Sequence, residues 1–322
     1  MPSTTTSRPE ASPAAPVALG IGLAVSSGVA SAVQTRINGL LGVQLGDSVL
    51  AAVISFGVGL ALLLIGLAAS PAMRAGAGRL FRVIREKQLP WWMLLGGLAG
   101  ALTVFSQALT AAIVGVALFS VAVVAGQTVS SLIVDRIGLG PGGVIMPTRR
   151  RILSAAIAIA AVTVGVAADL SSASSWLLLV PVAAGFGLGW QQAVNGRVRA
   201  ATDSAAAATL LNFVTGMTLL LIAFVASRLV SGGFAIPVFP SDAWFYVGGA
   251  LGVYQVVIMA IVVRWTGVLV LGLSIISGQL VAALALDLAS TGIVVTPQIV
   301  AGALLALLAV VIASGRSRRL AG

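Results

Sequence analysis

Ten apolar stretches, each about 20 residues long, follow one another through this chain, and the basic residues fall almost wholly in the gaps between them. The stretches centre near Ser27, Val58, Ala101, Ala125, Ala160, Gly187, Thr215, Val253, Gly278 and Leu305. A helix of about 20 apolar residues crosses the hydrocarbon core of a bilayer. Each stretch is therefore expected to be a transmembrane helix, and the chain an all-α integral membrane protein with ten of them. With 59% hydrophobic and 8% charged residues and a mean hydropathy of +1.12, the chain has too little charge to cover a water-facing surface. Its 38 glycines suit helices that approach closely in lipid. Trp91, Trp92, Trp176 and Trp244 stand at the starts of runs, where amphipathic rings favour the membrane interface.

The basic residues set the orientation. With the N-terminus inside, sixteen of the eighteen lie on the cytoplasmic side, and only Arg36 and Arg228 lie outside. This asymmetry predicts an N-in, C-in topology. It also accounts for the net charge of +10 without a nucleic-acid partner. The segment "RLFRVIRE" (79–86) sets apolar positions against basic ones and is expected to lie as a short helix on the inner leaflet. Residues 1–16 are rich in Ser, Thr and Pro and read as a disordered tail; residues 316–322 read as a basic cytoplasmic tail. The "ASA" that ends the first run resembles a signal-peptidase site. The tail before it lacks a positive n-region, and the residues after it recur later in the chain, so no cleavage is expected.

That recurrence is a duplication. "QTRINGLLGVQLGDSVLAAVISFGVG" (34–59) matches "QQAVNGRVRAATDSAAAATLLNFVTG" (191–216) at a shift of 157 without a gap. "WMLLGGLAG" (92–100) matches "WFYVGGALG" (244–252) at a shift of 152, and "VVAGQTVSSLIVDRIG" (123–138) matches "IISGQLVAALALDLAS" (275–290) at the same shift. Each copy holds five spans, so the second enters the membrane upside down. The expected units are a first five-helix repeat at 17–170 and a second, inverted one at 175–315. The loop at Arg74–Lys87 carries five basic residues and its counterpart at 229–243 none, as inversion requires.

These residues resemble a known family. The five-plus-five pattern, "QTRINGLLG" at the end of the first helix, "PWWMLLGGLAGAL" opening the third and "GVALFSVAVVAGQTVSSLIVDRIG" through the fourth are similar to the YdcZ-type branch of the drug/metabolite transporter superfamily. The resemblance covers residues 17–314. It implies a multi-pass protein of the bacterial inner membrane and an exporter of a small metabolite or drug. It also implies a central cavity ringed by the first four helices of each repeat, with the fifth outside. The fourth helix of the second copy, "GVLVLGLSIISGQLVAALALD", departs from the pattern: it lacks Phe and the Asp-Arg pair, so any role of Arg136 is asymmetric.

Polar residues inside the spans are the candidate binding residues. Gln34 and Asn38 end a stripe on the first helix that Gln191 and Asn195 repeat on the sixth. Gln107 lies on the third helix with Thr103, Ser106 and Thr110, and Gln127 on the fourth with Ser120 and Ser131. Asn212, Tyr254, Gln255 and Gln279 complete the substrate-binding set. An unpaired amide facing lipid costs several kcal/mol, so the stripes must face protein or water. The competing reading is that they are interhelical hydrogen bonds, worth on average about 0.6 kcal/mol each. Gly96/Gly100 and Gly248/Gly252 read as close-packing pairs instead. Asp135 and Asp287, at helix ends on opposite sides, are gate candidates.

No acid or base occupies a helix midpoint, so the expected solute is small and neutral or zwitterionic. No Walker A pattern occurs, and no cofactor or metal is expected: the chain has no His or Cys and its eight acids are scattered. For the same reason an enzyme is not expected. The sequence reading is a secondary transporter working by alternating access, with the bilayer and a small solute as partners. A second copy of the chain as partner is left open. The alternatives are an importer or bidirectional facilitator, or a non-transporting membrane scaffold. Polar stripes that converge on a common cavity favour transport, and stripes each satisfied by one neighbour favour the scaffold.

Overall fold

In a computed structural model, residues 17–166, 175–231, 233, 237–291 and 293–314 are described. The expected tails at 1–16 and 316–322 lie outside these residues. The helices are α1 (Val17–Leu45), α2 (Ser48–Ala69), α3 (Pro71–Arg85), α4 (Gly97–Val114), α5 (Val116–Arg136), α6 (Arg149–Val166), α7 (Leu179–Thr202), α8 (Ala205–Val230), α9 (Gly248–Leu288) and α10 (Pro297–Ser314). Among the described residues all regular structure is helical. Among the described residues, seven segments are long and apolar enough to cross a membrane, and Gly248–Val263 and Pro297–Ala313 are shorter apolar helices. Short 3-10 turns that carry Trp91, Trp176 and Trp244 lead into α4, α7 and α9, and all three indoles are exposed.

Local chemistry sets the boundaries. Asp47 caps α2 by accepting from the amides of Val49 and Leu50 at 2.9 Å, and Ser204 caps α8 by accepting from Ala207 at 3.2 Å. Each cap follows a residue at positive φ, Gly46 at 58° and Asp203 at 46°. These are equivalent positions of the two copies. Each turn is held from the other half of the chain: Arg228 pairs with Asp47, and Arg79 donates to the carbonyls of Thr202 and Asp203. The basic helix expected at 79–86 is longer than its pattern suggested. Ser70 caps it and Pro71 stands at its first turn, where the missing N–H costs nothing. Phe81 and Ile84 are exposed along it.

Two glycines break what would otherwise be continuous helices. Gly115 (φ 85°, ψ 155°) separates α4 from α5, and Gly267 (φ 73°, ψ 164°) interrupts α9. They are 152 residues apart, the same shift that relates the fourth-helix motifs. A side chain would be strained at either φ, which glycine tolerates. The spans expected at Val253 and Gly278 are therefore the two arms of α9, at 248–266 and 268–288.

The packing has the same reciprocity. α1 runs along α9 as α7 runs along α5, while α2 meets α8 and α6 meets α10. At the first crossing a Cβ on Gly28 would overlap the carbonyl of Ile275; at the second, a Cβ on Gly185 would overlap that of Val123. These glycines let backbones touch where no hydrophobic effect drives helices together in lipid.

Candidate functional site

A cleft of about 480 Å³ lies among α5, α6, α7, α9 and α10, so the fifth helix of each repeat, expected outside the cavity, lines this one. Its polar lining is Gln127, Thr128 and Ser131 from α5, Arg151 and Ser154 from α6, and Gln192 from α7; Val124, Leu132, Leu273, Ile276 and Val310 supply apolar wall. Gln127, Thr128 and Ser131 share one helix face by their spacing. Arg151 and Ser154 lie one turn apart near the start of α6. Gly272, on the second arm of α9, adds no side chain to the facing wall.

Three hydroxyls are held by backbone. Thr128 donates to Val124 O at 2.7 Å, Ser131 to Thr128 O at 2.8 Å and Ser154 to Ala309 O at 2.7 Å. Each keeps lone pairs that accept. Among the described residues the Gln127 and Gln192 amides carry no hydrogen bond, so both present a donor and an acceptor. Arg151 is ion-paired with Asp135. The lining thus offers two free amides, three oriented hydroxyls and a neutralised pair. A volume in the range of small-ligand pockets with few polar groups on apolar walls fits a small organic solute.

Of the ten residues expected to bind substrate, Gln127 lines this cleft. The others form a polar seam between helices. Asn38 Nδ2 donates to Gln107 Oε1 at 2.7 Å, and Gln107 Nε2 to Thr35 Oγ1 at 3.2 Å. Gln255 donates to Gln34 at 2.9 Å, Asn212 to Asn195 at 2.9 Å and Gln279 to the Ser120 hydroxyl at 3.3 Å. Tyr254 and Ser26 share a hydrogen bond at 2.8 Å. The glycine pairs form part of this seam: a Cβ on Gly100 would stand 3.3 Å from Gln191 Nε2, and one on Gly252 3.0 Å from Gln34 Nε2. Glycine here makes room for the amides of the opposite half. The Asn38 and Asn212 oxygens are buried without a partner among the described residues.

Sequence reasoning passed over Thr128, Arg151, Ser154 and Gln192 as binding residues. Gln192 stands beside Gln191 in "GWQQAVNG", and only Gln191 has a glutamine as its duplicate. Arg151 reads as a topology charge. Its signal was the Ser154 three residues on, which puts both on one helix face.

The two gate candidates have opposite surroundings. The Asp287 side chain is buried, at 1% exposure, and accepts from the amides of Val116 at 2.9 Å and Ala117 at 2.7 Å. Asp135 is partly exposed, and its backbone carbonyl accepts from Ile145 at 2.8 Å. Its carboxylate is held by Arg151.

Residues 19–164 and, separately, 176–312 match the family model described as "Putative inner membrane exporter, YdcZ". No curated protein matches the chain.

Proposed function

The chain belongs to the YdcZ family of inner-membrane exporters, and on that premise we propose that it is a ten-span secondary transporter, exporting a small neutral or zwitterionic solute by alternating access. The ten spans are the seven long segments, the two shorter apolar helices and α6, which the three arginines of its first turn set apart. The excess of basic residues on one side supports an N-in, C-in orientation. The twofold family match supports two five-helix units, 17–170 and 175–315, and the odd number of spans makes the second inverted. The cleft then faces the cytoplasm, because it is lined from the end of α5 that carries Asp135 and from the basic start of α6.

The observation that carries this reading is the cleft itself, walled by helices of both copies and lined by unpaired amides. Gln127 and Gln192 would bind the solute, with Thr128, Ser131 and Ser154 as acceptors. The neutral Arg151–Asp135 pair at the cleft suits a solute without net charge. The polar seam favours a second reading, a membrane scaffold, because most of its amides are each paired with one neighbouring side chain.

A thermal-shift screen of the purified protein against a metabolite library separates the two. A transporter yields a stabilising ligand, and Gln127→Leu weakens that ligand by about 5- to 150-fold, the worth of one buried polar contact of about 1–3 kcal/mol. No ligand from a broad library, or a ligand that Gln127→Leu binds as tightly as the parent, counts against the cleft as the site.

A further inference from the structure

The break at Gly115 starts α5 afresh, so the first amides of α5 have no partner within their own helix. No water reaches an apolar packed interior to satisfy them. Asp287, from the other half of the chain, takes one amide on each carboxylate oxygen: Val116 on Oδ1 and Ala117 on Oδ2. An anion at a helix start is also favoured by the aligned peptide dipoles. Around this contact Ala32, Val116, Ala117, Ala283 and Ile299 pack into one buried cluster. This end of the bundle is shut.

The other end has the same parts in another arrangement. Gly267 starts the second arm of α9 as Gly115 starts α5, and Asp135 is the equivalent of Asp287 at a shift of 152. By that shift the amides of 268 and 269 are the equivalents of those of Val116 and Ala117. Yet Asp135 is paired with Arg151, and no atom of the described residues lies within 4 Å of where a Cβ on Gly267 would stand. At Gly115 the same position is 2.8 Å from Asp287 Oδ2. α5 has 21 residues, so its two ends are about 30 Å apart, the thickness of the hydrocarbon core.

We propose that Asp287 and Asp135 are alternating latches, each closing its end of the path by capping the broken helix of the opposite repeat. The proposal rests on the alternating-access reading. In the state described here the Asp287 latch is made and the Asp135 latch is undone. In the opposite state Asp135 leaves Arg151 for the amides of 268 and 269. Asp287 then leaves α5, and Arg36, already within electrostatic reach, receives it. Each acid thus has two partners, helix-start amides when its end is closed and an arginine when it is open.

The chain has no Cys, so single reporters read cleanly. Ala32→Cys reports the shut end and Ser131→Cys the cleft, each labelled with a membrane-impermeant maleimide on sealed vesicles of both orientations. The parent should label readily at the cleft reporter, from the cytoplasmic face, and slowly at the other, from the outer face. Asp287→Ala should raise labelling at Ala32→Cys about tenfold or more and lower it at Ser131→Cys. Asp287→Asn, which keeps one acceptor oxygen, should fall between, and it replaces the alanine variant if that fails to insert. Asp135→Ala should slow Ala32→Cys below the parent.

Faster labelling at both reporters in the Asp287 variants would make the acid a structural cap and overturn the latch. A parent that labels measurably at Ala32→Cys, at a rate Asp287→Ala leaves unchanged, removes the latch but keeps alternating access. An Ala32→Cys that never labels in any variant removes both.

Discussion

Where α5 and α9 meet, one end of the bundle holds a cleft and the other a dry packed seam, although the two are built from duplicated sequence. On α5 the cleft presents Gln127, Thr128 and Ser131; at the equivalent positions α9 presents Gln279, Leu280 and Ala283. The third residue of α6 is Arg151, lining the cleft, and the third residue of α10 is Ile299, inside the buried cluster. Leu280 and Ala283 are fully buried. The backbone frame is shared, and in this state the difference in side-chain polarity sets the cleft apart from the packed end. It also explains why the dry end needs Asp287: helix-start amides that water cannot reach must find an internal acceptor. At the cleft end Asp135 pairs with an arginine instead.

The comparison breaks most sharply if the cleft is rewritten in the chemistry of its counterpart. Thr128→Leu with Ser131→Ala adds volume and removes two acceptors. Ligand affinity in the thermal-shift assay should fall about 100-fold or more, because filling a site and losing hydrogen bonds act together. Retained affinity would mean the solute sits elsewhere. The converse pair, Leu280→Thr with Ala283→Ser, puts hydroxyls into the dry seam. Ala32→Cys labelling should rise about threefold to tenfold, short of the effect of removing Asp287, since each hydroxyl can still bond a backbone carbonyl one turn back. The smallest effect belongs to the seam of paired amides. Gln255→Leu breaks the contact to Gln34 and should lower stability in detergent by about 0.6 kcal/mol, with ligand affinity unchanged. A large affinity loss there would return the seam to the substrate path.

Much of this was legible without coordinates. Apolar run length gave the helices, while the turn chemistry at Asp47, Ser70 and Ser204 that bounds three of them came from the structure. The repeat at 152 residues paired Asp135 with Asp287 and Gln127 with Gln279 before any contact was known. The candidate site was only partly legible. An intramembrane amide must find a partner, and periodicity shows the face it lies on but not what lies opposite. Gln34, Asn38, Gln107, Asn195, Asn212 and Gln279 found other side chains, while Gln127 faced the cleft. Gln192 falls on Thr35 in the other copy, so no second glutamine marked it.

The sequence by itself determined what hydropathy, charge and repetition can carry: an all-helical membrane protein, its duplicated halves, and glycines at the two equivalent breaks. Those follow from local rules, the length needed to cross lipid and the backbone angles a residue tolerates. Tertiary structure alone decided which of two equivalent acids is buried and which end is open. That choice depends on how α5 and α9 meet across the halves, through contacts 170 and 171 residues apart between Asp287 and the start of α5. The two duplicated segments keep Gly, Gln and Asp in the same frame, and the surroundings they pack into, apolar at one end and polar at the other, set their acids apart.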